Sequence, residues 1–431
     1  MFHMAWFLTT GFGAYGWNGQ WSGNVPKDVG NPQLFVDLAT SLERAGFDYM
    51  MLEDSSVLPD VFEGTPRQAL ETGVIRFDPM PLVPLLAGAT KKLGIVATAS
   101  TSFYPPFLAA RLMTTLDHLT QGRVGINLVT SSPHAAAQNY GYDEHFEHDL
   151  RYQMADEWVD AVTALWDGWE EGALTFDEQA GVFADHTKVH RADFDGEFYK
   201  TRGPLNVPPG PQRHPVICQA GGSPAGMEFG ARHADTIVAQ VRTTEAAKAY
   251  RDDISARMIA NGRDPRDVKV LFLYQPVLAD TDAEAQAKAD RMDAAAAANL
   301  DGALAGMSYV SGIDFSKYDL DAPIEDLTGK SNGHQSSVDE FARTSKGKTL
   351  RETLALRTTV GTRHIGSPDS VASQMEEMMQ ECGGDGFLVA LPVTRKNITE
   401  VCDGLAPALR RRGLIRDSYD GATFRENLLA F

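Results

Sequence analysis

Eight short runs of β-forming residues, separated by stretches with helical periodicity, constrain this sequence more than any other feature. They are His3 to Leu8, Asp48 to Leu52, Gly94 to Thr98, Val124 to Val129, Pro215 to Gln219, Thr236 to Ala239, Lys269 to Tyr274 and Gly386 to Ala390. Strands that alternate with helices along a chain pair in parallel. The interiors of these runs are mostly apolar, as strands buried on both faces require. Eight is also the number that closes a (β/α)8 barrel. The whole chain of 431 residues is therefore predicted to be one α/β domain, a TIM (β/α)8 barrel.

The intervening helices are partly legible. Between His148 and Trp169, apolar residues at Trp158, Val162, Leu165, Trp166 and Trp169 fall on one helical face. A later helix has a clear start and stop, with Ser367 as N-cap, Pro368 in the first turn and Gly383-Gly384 after Cys382. Two segments exceed a minimal barrel. Residues 173–214 are rich in Gly, Pro and Asp and read as a loop insertion before the fifth strand. Residues 283–363 begin with an Ala-rich helix and read as a lid-like insertion between the seventh and eighth strands. Insertions of this length in a barrel usually cover the catalytic face.

Composition excludes several classes. A net charge of −19 argues against a nucleic-acid or anionic-membrane surface. There is no apolar run of 18 or more residues, the length a transmembrane helix needs. Met1 to Thr10 lacks a basic segment and a small-residue cleavage site, so no signal peptide is expected. The 3 cysteines are scattered, which suits free thiols in a reducing cytoplasm.

Each candidate motif has a plainer reading. Gly11, Gly13 and Gly16 spell Gly-x-Gly-x-x-Gly after the first run, but a dinucleotide fingerprint needs a helix next. Here Trp17, Asn18, Gly19, Trp21 and Pro26 follow, so an aromatic loop at the first strand's mouth is the better reading. His145 with His148, and His186 with His190, have metal-ligand spacing without a full ligand set. They are read as solvated or hydrogen-bonded histidines, and no metal is expected.

The carboxyl ends of the strand runs carry more information, because barrel active sites collect there. They read Glu53-Asp54-Ser55-Ser56, Thr98-Ala99-Ser100-Thr101-Ser102, Asn127-Leu128-Val129-Thr130-Ser131-Ser132 and Gln219-Ala220-Gly221-Gly222-Ser223, with Gln240 and Gln275 after the next two. Some of these groups cap turns and helices; together they form a ring of hydroxyls and amides suited to a polar, planar ligand. Ser223 also precedes a predicted helix, Ala225 to His233, where backbone N–H groups favour an anion such as phosphate.

At these residues the chain resembles the bacterial-luciferase-like flavin-dependent monooxygenases. The branch is that of nitrilotriacetate monooxygenase, the pristinamycin-synthase oxygenase subunit, dibenzothiophene-sulfone monooxygenase and long-chain alkane monooxygenase. The matching stretches include Ala45-Gly46-Phe47-Asp48, Gly122-Arg123, Asn127 to Ser131, Arg151-Tyr152, Lys188-Val189-His190 and Gly203 to Asn206. They continue through Gln219-Ala220-Gly221, Gly312-Ile313-Asp314, Gly366-Ser367-Pro368, Asp385-Gly386-Phe387 and Arg412-Gly413-Leu414. Each is weak alone; their shared order along nearly the whole chain is specific.

The resemblance implies a barrel whose strand-end loops hold FMN. Asp54, Thr98, Asn127 and Thr130 take the positions of flavin-ring or ribityl contacts, and Tyr152 and Ser223 those of phosphate contacts. It also implies that a separate NAD(P)H:FMN reductase supplies reduced FMN. That flavin reacts with dioxygen to a flavin hydroperoxide, which passes one oxygen atom to a small organic substrate. A homodimer or homotetramer is the implied assembly. The loop after the first strand departs from its relatives: Gly11 to Tyr15 contains neither His nor Cys. Phe12, Trp17, Phe103 and Tyr104 are expected to wall the substrate pocket. His334, in the second insertion, is the expected proton-handling catalytic residue. The competing reading is a flavin- or deazaflavin-dependent hydride-transfer enzyme on the same barrel, which would not consume oxygen.

Overall fold

The computed structural model describes residues 1–9, 22–322, 338, 341–342, 345–355 and 361–431. Its centre is a closed barrel of eight parallel strands. These are β1 (His3–Leu8), β2 (Tyr49–Leu52), β3 (Gly94–Ser100), β4 (Val124–Val129), β5 (Val216–Gln219), β6 (Thr236–Ala239), β7 (Lys269–Tyr274) and β8 (Gly386–Val389). Pairing of β8 with β1 closes the ring, with Met4 opposite Phe387. The predicted fold is the observed one, and all eight predicted runs became its strands.

Side chains alternate between the lumen and the surrounding helices, as strand geometry demands. Ala5, Tyr49, Met51, Val96, Cys218, Val238, Leu271 and Leu388 pack together inside. The C-terminal helix Phe424–Leu428 stops the amino end of the barrel. Phe424 enters so closely that a Cβ on Gly94, at the start of β3, would stand 2.5 Å from its ring. Beside this plug, buried Asp48 accepts from Arg416 Nε at 3.0 Å and from the Met4 amide at 2.9 Å. The amino end is thus filled, and the carboxyl ends are where a ligand can enter.

Two elements differ from expectation. The helix starting at His148 ends at Trp166; Trp169 lies beyond it and donates its indole N–H to the Leu205 carbonyl at 2.9 Å. Its position on the apolar repeat reflects packing that continues past the helix. Residues 173–214, read as loop, contain two antiparallel hairpins, Leu174–Asp177 with Val182–Ala184 and Phe194–Asp195 with Lys200–Thr201. Strands of two to four residues are too short for a period-2 pattern to show. The Glu157 carboxylate anchors the second hairpin, accepting the amides of Glu197, Phe198 and Tyr199 at 2.9, 2.8 and 2.7 Å.

Between β7 and β8, the helices Asp282–Ala298 and Leu300–Ser311 lead into a small core of their own, where Leu304, Phe315, Phe341, Leu350 and Leu354 pack on Phe62. Asp314 ties this unit to the segment after β2 by accepting the Glu63 amide at 3.0 Å. Among the described residues, no helix is long and apolar enough to cross a membrane.

Candidate active site

The carboxyl end of the barrel opens into a cavity of about 190 Å³. Asp54, Thr130, Tyr152 and Gln219 line it, together with Ser131 and Tyr309. Four loops predicted to meet at the barrel mouth thus supply one wall each. Thr98 and Asn127 face each other across β3 and β4, one strand step beyond the lumen residues Val96 and Gly125. Thr98 donates its hydroxyl to the Leu52 carbonyl at 2.7 Å and accepts the Asn127 amide N–H at 2.9 Å. That pair orients the amide and leaves Asn127 Oδ1 buried without a partner among the described residues. Gln219 Oε1 is buried and unpartnered in the same way. The two face different ways. Asn127 points into the lumen with Thr98, whereas Gln219 follows the lumen residue Cys218 and turns out against the helix Pro224–His233, with Oε1 3.0 Å from where a Cβ on Gly230 would stand. The lumen-side orphan costs free energy unless a ligand N–H completes it.

A second feature stands beside them. Ser223 caps the helix Pro224–His233, accepting the Gly226 amide at 3.1 Å. The Tyr152 hydroxyl meets the hydroxyls of Ser223 and Thr130. It sits so close to the helix that a Cβ on Gly226 would stand 2.7 Å away. Tyr250 holds the turn by donating to the Gly221 carbonyl at 2.7 Å. Burial raises the Tyr152 pKa, so the phenol remains a proton donor throughout the neutral range. Tyr152 and Thr130 line the cavity, Ser223 lies behind Tyr152, and among the described residues no Lys or Arg lines it. Neutral donors of this kind can hold a phosphate.

Asp54 is the titratable group of the mouth. Burial, and then the Asp78 carboxylate, raise its pKa to about 6, against a smaller lowering by the Ser55 amide. It also borders a wider, more open recess of about 500 Å³ lined by Arg76, Phe77, Asp78, Tyr104 and Tyr140. Tyr104 therefore faces a cavity. Phe103 does not line either one; it stacks on Tyr140 at 4.3 Å and lies 5.3 Å from the His145 ring. His145 accepts the Phe146 amide on Nδ1 at 3.0 Å and so donates from Nε2 to the Thr130 carbonyl at 3.0 Å. Burial lowers its pKa to about 4, and the neutral ring fixes the Thr130 backbone.

Residues 3–386 match the family model described as luciferase-like monooxygenase. The chain belongs to that family. This luciferase-like monooxygenase is 34% identical to dibenzothiophene-sulfone monooxygenase of Rhodococcus erythropolis (strain XP), covering 99% of this chain and 96% of that protein. It is 34% identical to nitrilotriacetate monooxygenase component A of Aminobacter aminovorans, covering 94% and 91%. A solved riboflavin lyase with modified FMN and riboflavin superposes with a TM-score of 0.90 at 31% identity, covering 100% and 96%. The chain is a monooxygenase, and its relatives span essentially its full length.

Within this monooxygenase, two groups at the mouth escaped the sequence reading, Arg76 and Tyr309. Arg76 pairs with Glu53 at 3.0 Å, lies 5.7 Å over the Tyr309 ring, and Tyr309 bonds the Ser55 hydroxyl at 2.7 Å. Arg76 and Tyr309 come from a loop and from a remote helix, and neither carries a local motif. Phe12, Trp17 and His334 lie outside the described residues. His190 pairs with Glu170 at 2.6 Å on the exposed surface. Among the described residues, no three His, Cys, Asp or Glu side chains are grouped to hold a metal.

Proposed function

We propose that this chain is the oxygenase component of a two-component monooxygenase. It takes reduced FMN from a separate NAD(P)H:FMN reductase and uses dioxygen to oxygenate a small organic substrate. The observation that carries the reading is an orphan acceptor on the lumen side together with a phosphate-type cradle at the same barrel mouth. Asn127 Oδ1 is buried on the lumen side and unpartnered among the described residues, and an isoalloxazine ring presents N–H edges. Ser223, Thr130 and Tyr152 form the cradle, and FMN ends in a phosphate. The name of the Aminobacter relative, a component A, and the modified FMN of the riboflavin lyase support the same reading.

In this account Asp54, Thr98, Asn127 and Thr130 surround the ring and ribityl chain. Thr98 acts through Asn127, fixing which amide atom faces the ligand. Reduced FMN, when bound, supplies the electrons that activate dioxygen; the protein orients and shields that chemistry. Shielding falls to Tyr104 and Tyr140, with Phe103 stacked behind Tyr140, and to Tyr309, which stands over Ser55. Exclusion of water also strengthens every hydrogen bond inside the mouth. Asp54, with a pKa near neutrality, can hold or release a proton at its carboxylate. The test is an oxygen-electrode assay with a generic flavin reductase. The protein alone should not oxidise NADH or NADPH, and adding reductase and FMN should give oxygen uptake beyond the reductase's own. Robust NADPH turnover by the protein alone would overturn the proposal.

A further inference from the structure

The loop that follows β4 makes a turn the chain would not adopt freely. Ser131 sits at φ 56°, in the left-handed region that a residue with a side chain seldom enters. Such a conformation persists where its surroundings over-determine it, and here those surroundings can be named. The Thr130 carbonyl accepts two side-chain donors, His145 Nε2 at 3.0 Å and the Ser102 hydroxyl at 3.0 Å. Both lone pairs of that oxygen are thereby used. The Ser131 hydroxyl donates to Ser100 Oγ at 2.9 Å. The Thr130 side chain is left to meet the Tyr152 hydroxyl at the cavity wall.

His145 is itself held for this contact. Its amide donates to His134 Nδ1 at 3.1 Å. Its Nδ1 accepts the Phe146 amide at 3.0 Å, so the one proton of the neutral ring is on Nε2, facing Thr130. Phe103 stacks on the imidazole at 5.3 Å and 27°. Burial, and then the Arg151 guanidinium, lower the His145 pKa to about 4, which keeps this tautomer throughout the neutral range. His148, three positions on, does not share the task; it bonds Asp149 at 2.7 Å.

We infer that His145 is a positioning residue of the cofactor site: by holding the Thr130 carbonyl inside the protein, it aims the Thr130 hydroxyl at Tyr152 and at the phosphate these two would grip. The inference rests on the flavin reading of the mouth. The contact it controls lies at the phosphate end of the cofactor, so its loss should separate FMN from riboflavin. A histidine that merely stabilised the loop would affect both flavins alike.

The test compares FMN and riboflavin binding to the flavin-free protein by fluorescence titration, for the wild type, His145→Asn and His145→Gln. An Asn amide reaches about as far as Nδ1; it keeps the Phe146 contact and loses the bond to Thr130. A Gln amide reaches about as far as Nε2 and keeps that bond. His145→Asn should weaken FMN binding about tenfold, the worth of one hydrogen bond, and change riboflavin by less than about twofold. His145→Gln should hold FMN within about threefold of wild type. Ser102→Ala removes the second donor to the same carbonyl. It should lower the ratio of FMN to riboflavin affinity in the same direction, and it decides the matter should His145→Asn not fold. An unchanged ratio in folded His145→Asn overturns the inference, and so does equal weakening of FMN by the Asn and Gln variants. A wild-type protein that binds FMN no better than riboflavin removes the phosphate cradle and this inference together. A wild-type preference for FMN that His145→Asn leaves intact removes only the role of His145.

Discussion

At Asp54, burial and the nearby Asp78 carboxylate act in the same direction and lift the pKa to about 6 from 3.8. The folded chain therefore holds this proton more tightly than the unfolded chain. Stability from this group declines as pH rises from about 4 through 6, and the ionised form is a cost above that range. Asp54→Asn is expected to melt higher than wild type above pH 6 and to lose the advantage near pH 4. Melting curves across that range check it, and a variant less stable than wild type at pH 7.5 would contradict it. The cradle gives a second prediction. A hydrogen bond to a charged group contributes about 1.5–3 kcal/mol, so Tyr152→Phe should weaken FMN binding roughly 10- to 100-fold. Ser223→Ala should do the same, with some loss of helix capping added. Riboflavin has no phosphate, so its affinity should barely change; equal losses for both ligands would refute the assignment. The hydroxyl and amide residues of the mouth were legible because strand ends announce themselves locally. The Glu53–Arg76–Tyr309 group was not, because Ser55 and Tyr309 stand 254 positions apart and only folding joins them.

Among elements, legibility followed length and punctuation. The strands His3–Leu8, Val124–Val129, Thr236–Ala239 and Lys269–Tyr274 have the boundaries read from the sequence. The helix Pro368–Cys382 does as well, because Ser367 caps it and Gly383 leaves it at φ 65°. The hairpins in 173–214 were hidden by their brevity, and the end of the helix at Trp166 by an apolar repeat that ran on to Trp169. The short C-terminal helix opens on a capping box, Thr423 with Glu426, yet nothing local tells that it stoppers the barrel with Phe424, which is 1% exposed and 5.6 Å from Tyr49. Phe424→Ala is expected to destabilise the fold by about 3–5 kcal/mol. A chemical-denaturation midpoint measures this, and a loss below about 1 kcal/mol would mean that the plug is not part of the core.

For the molecule as a whole, one end of the barrel is spent on stability and the other on chemistry. Phe424 and the Asp48–Arg416 pair fill the amino end. Among the described residues, buried polar atoms without partners occur at both ends, His3 Nε2 beside Asp48 and Asn127 Oδ1 at the carboxyl end, but only the carboxyl end has a cavity beside it. The segments that extend the barrel serve this end: Tyr199 donates to the Thr101 carbonyl at 3.1 Å, and Tyr309 closes on Ser55. We propose that this mouth uses flavin-derived electrons, delivered by another protein, to place one atom of dioxygen into an organic substrate. The most direct test supplies isotopically labelled dioxygen to the protein, with FMN kept reduced by a reductase behind a dialysis membrane, and follows label by mass spectrometry across a panel of uncharged organic sulfides and alkanes. The account predicts one labelled oxygen atom in a product that forms only when both flavin and this protein are present. Label confined to peroxide and water while an unlabelled, dehydrogenated product accumulates would contradict it, and would assign the barrel to hydride transfer instead.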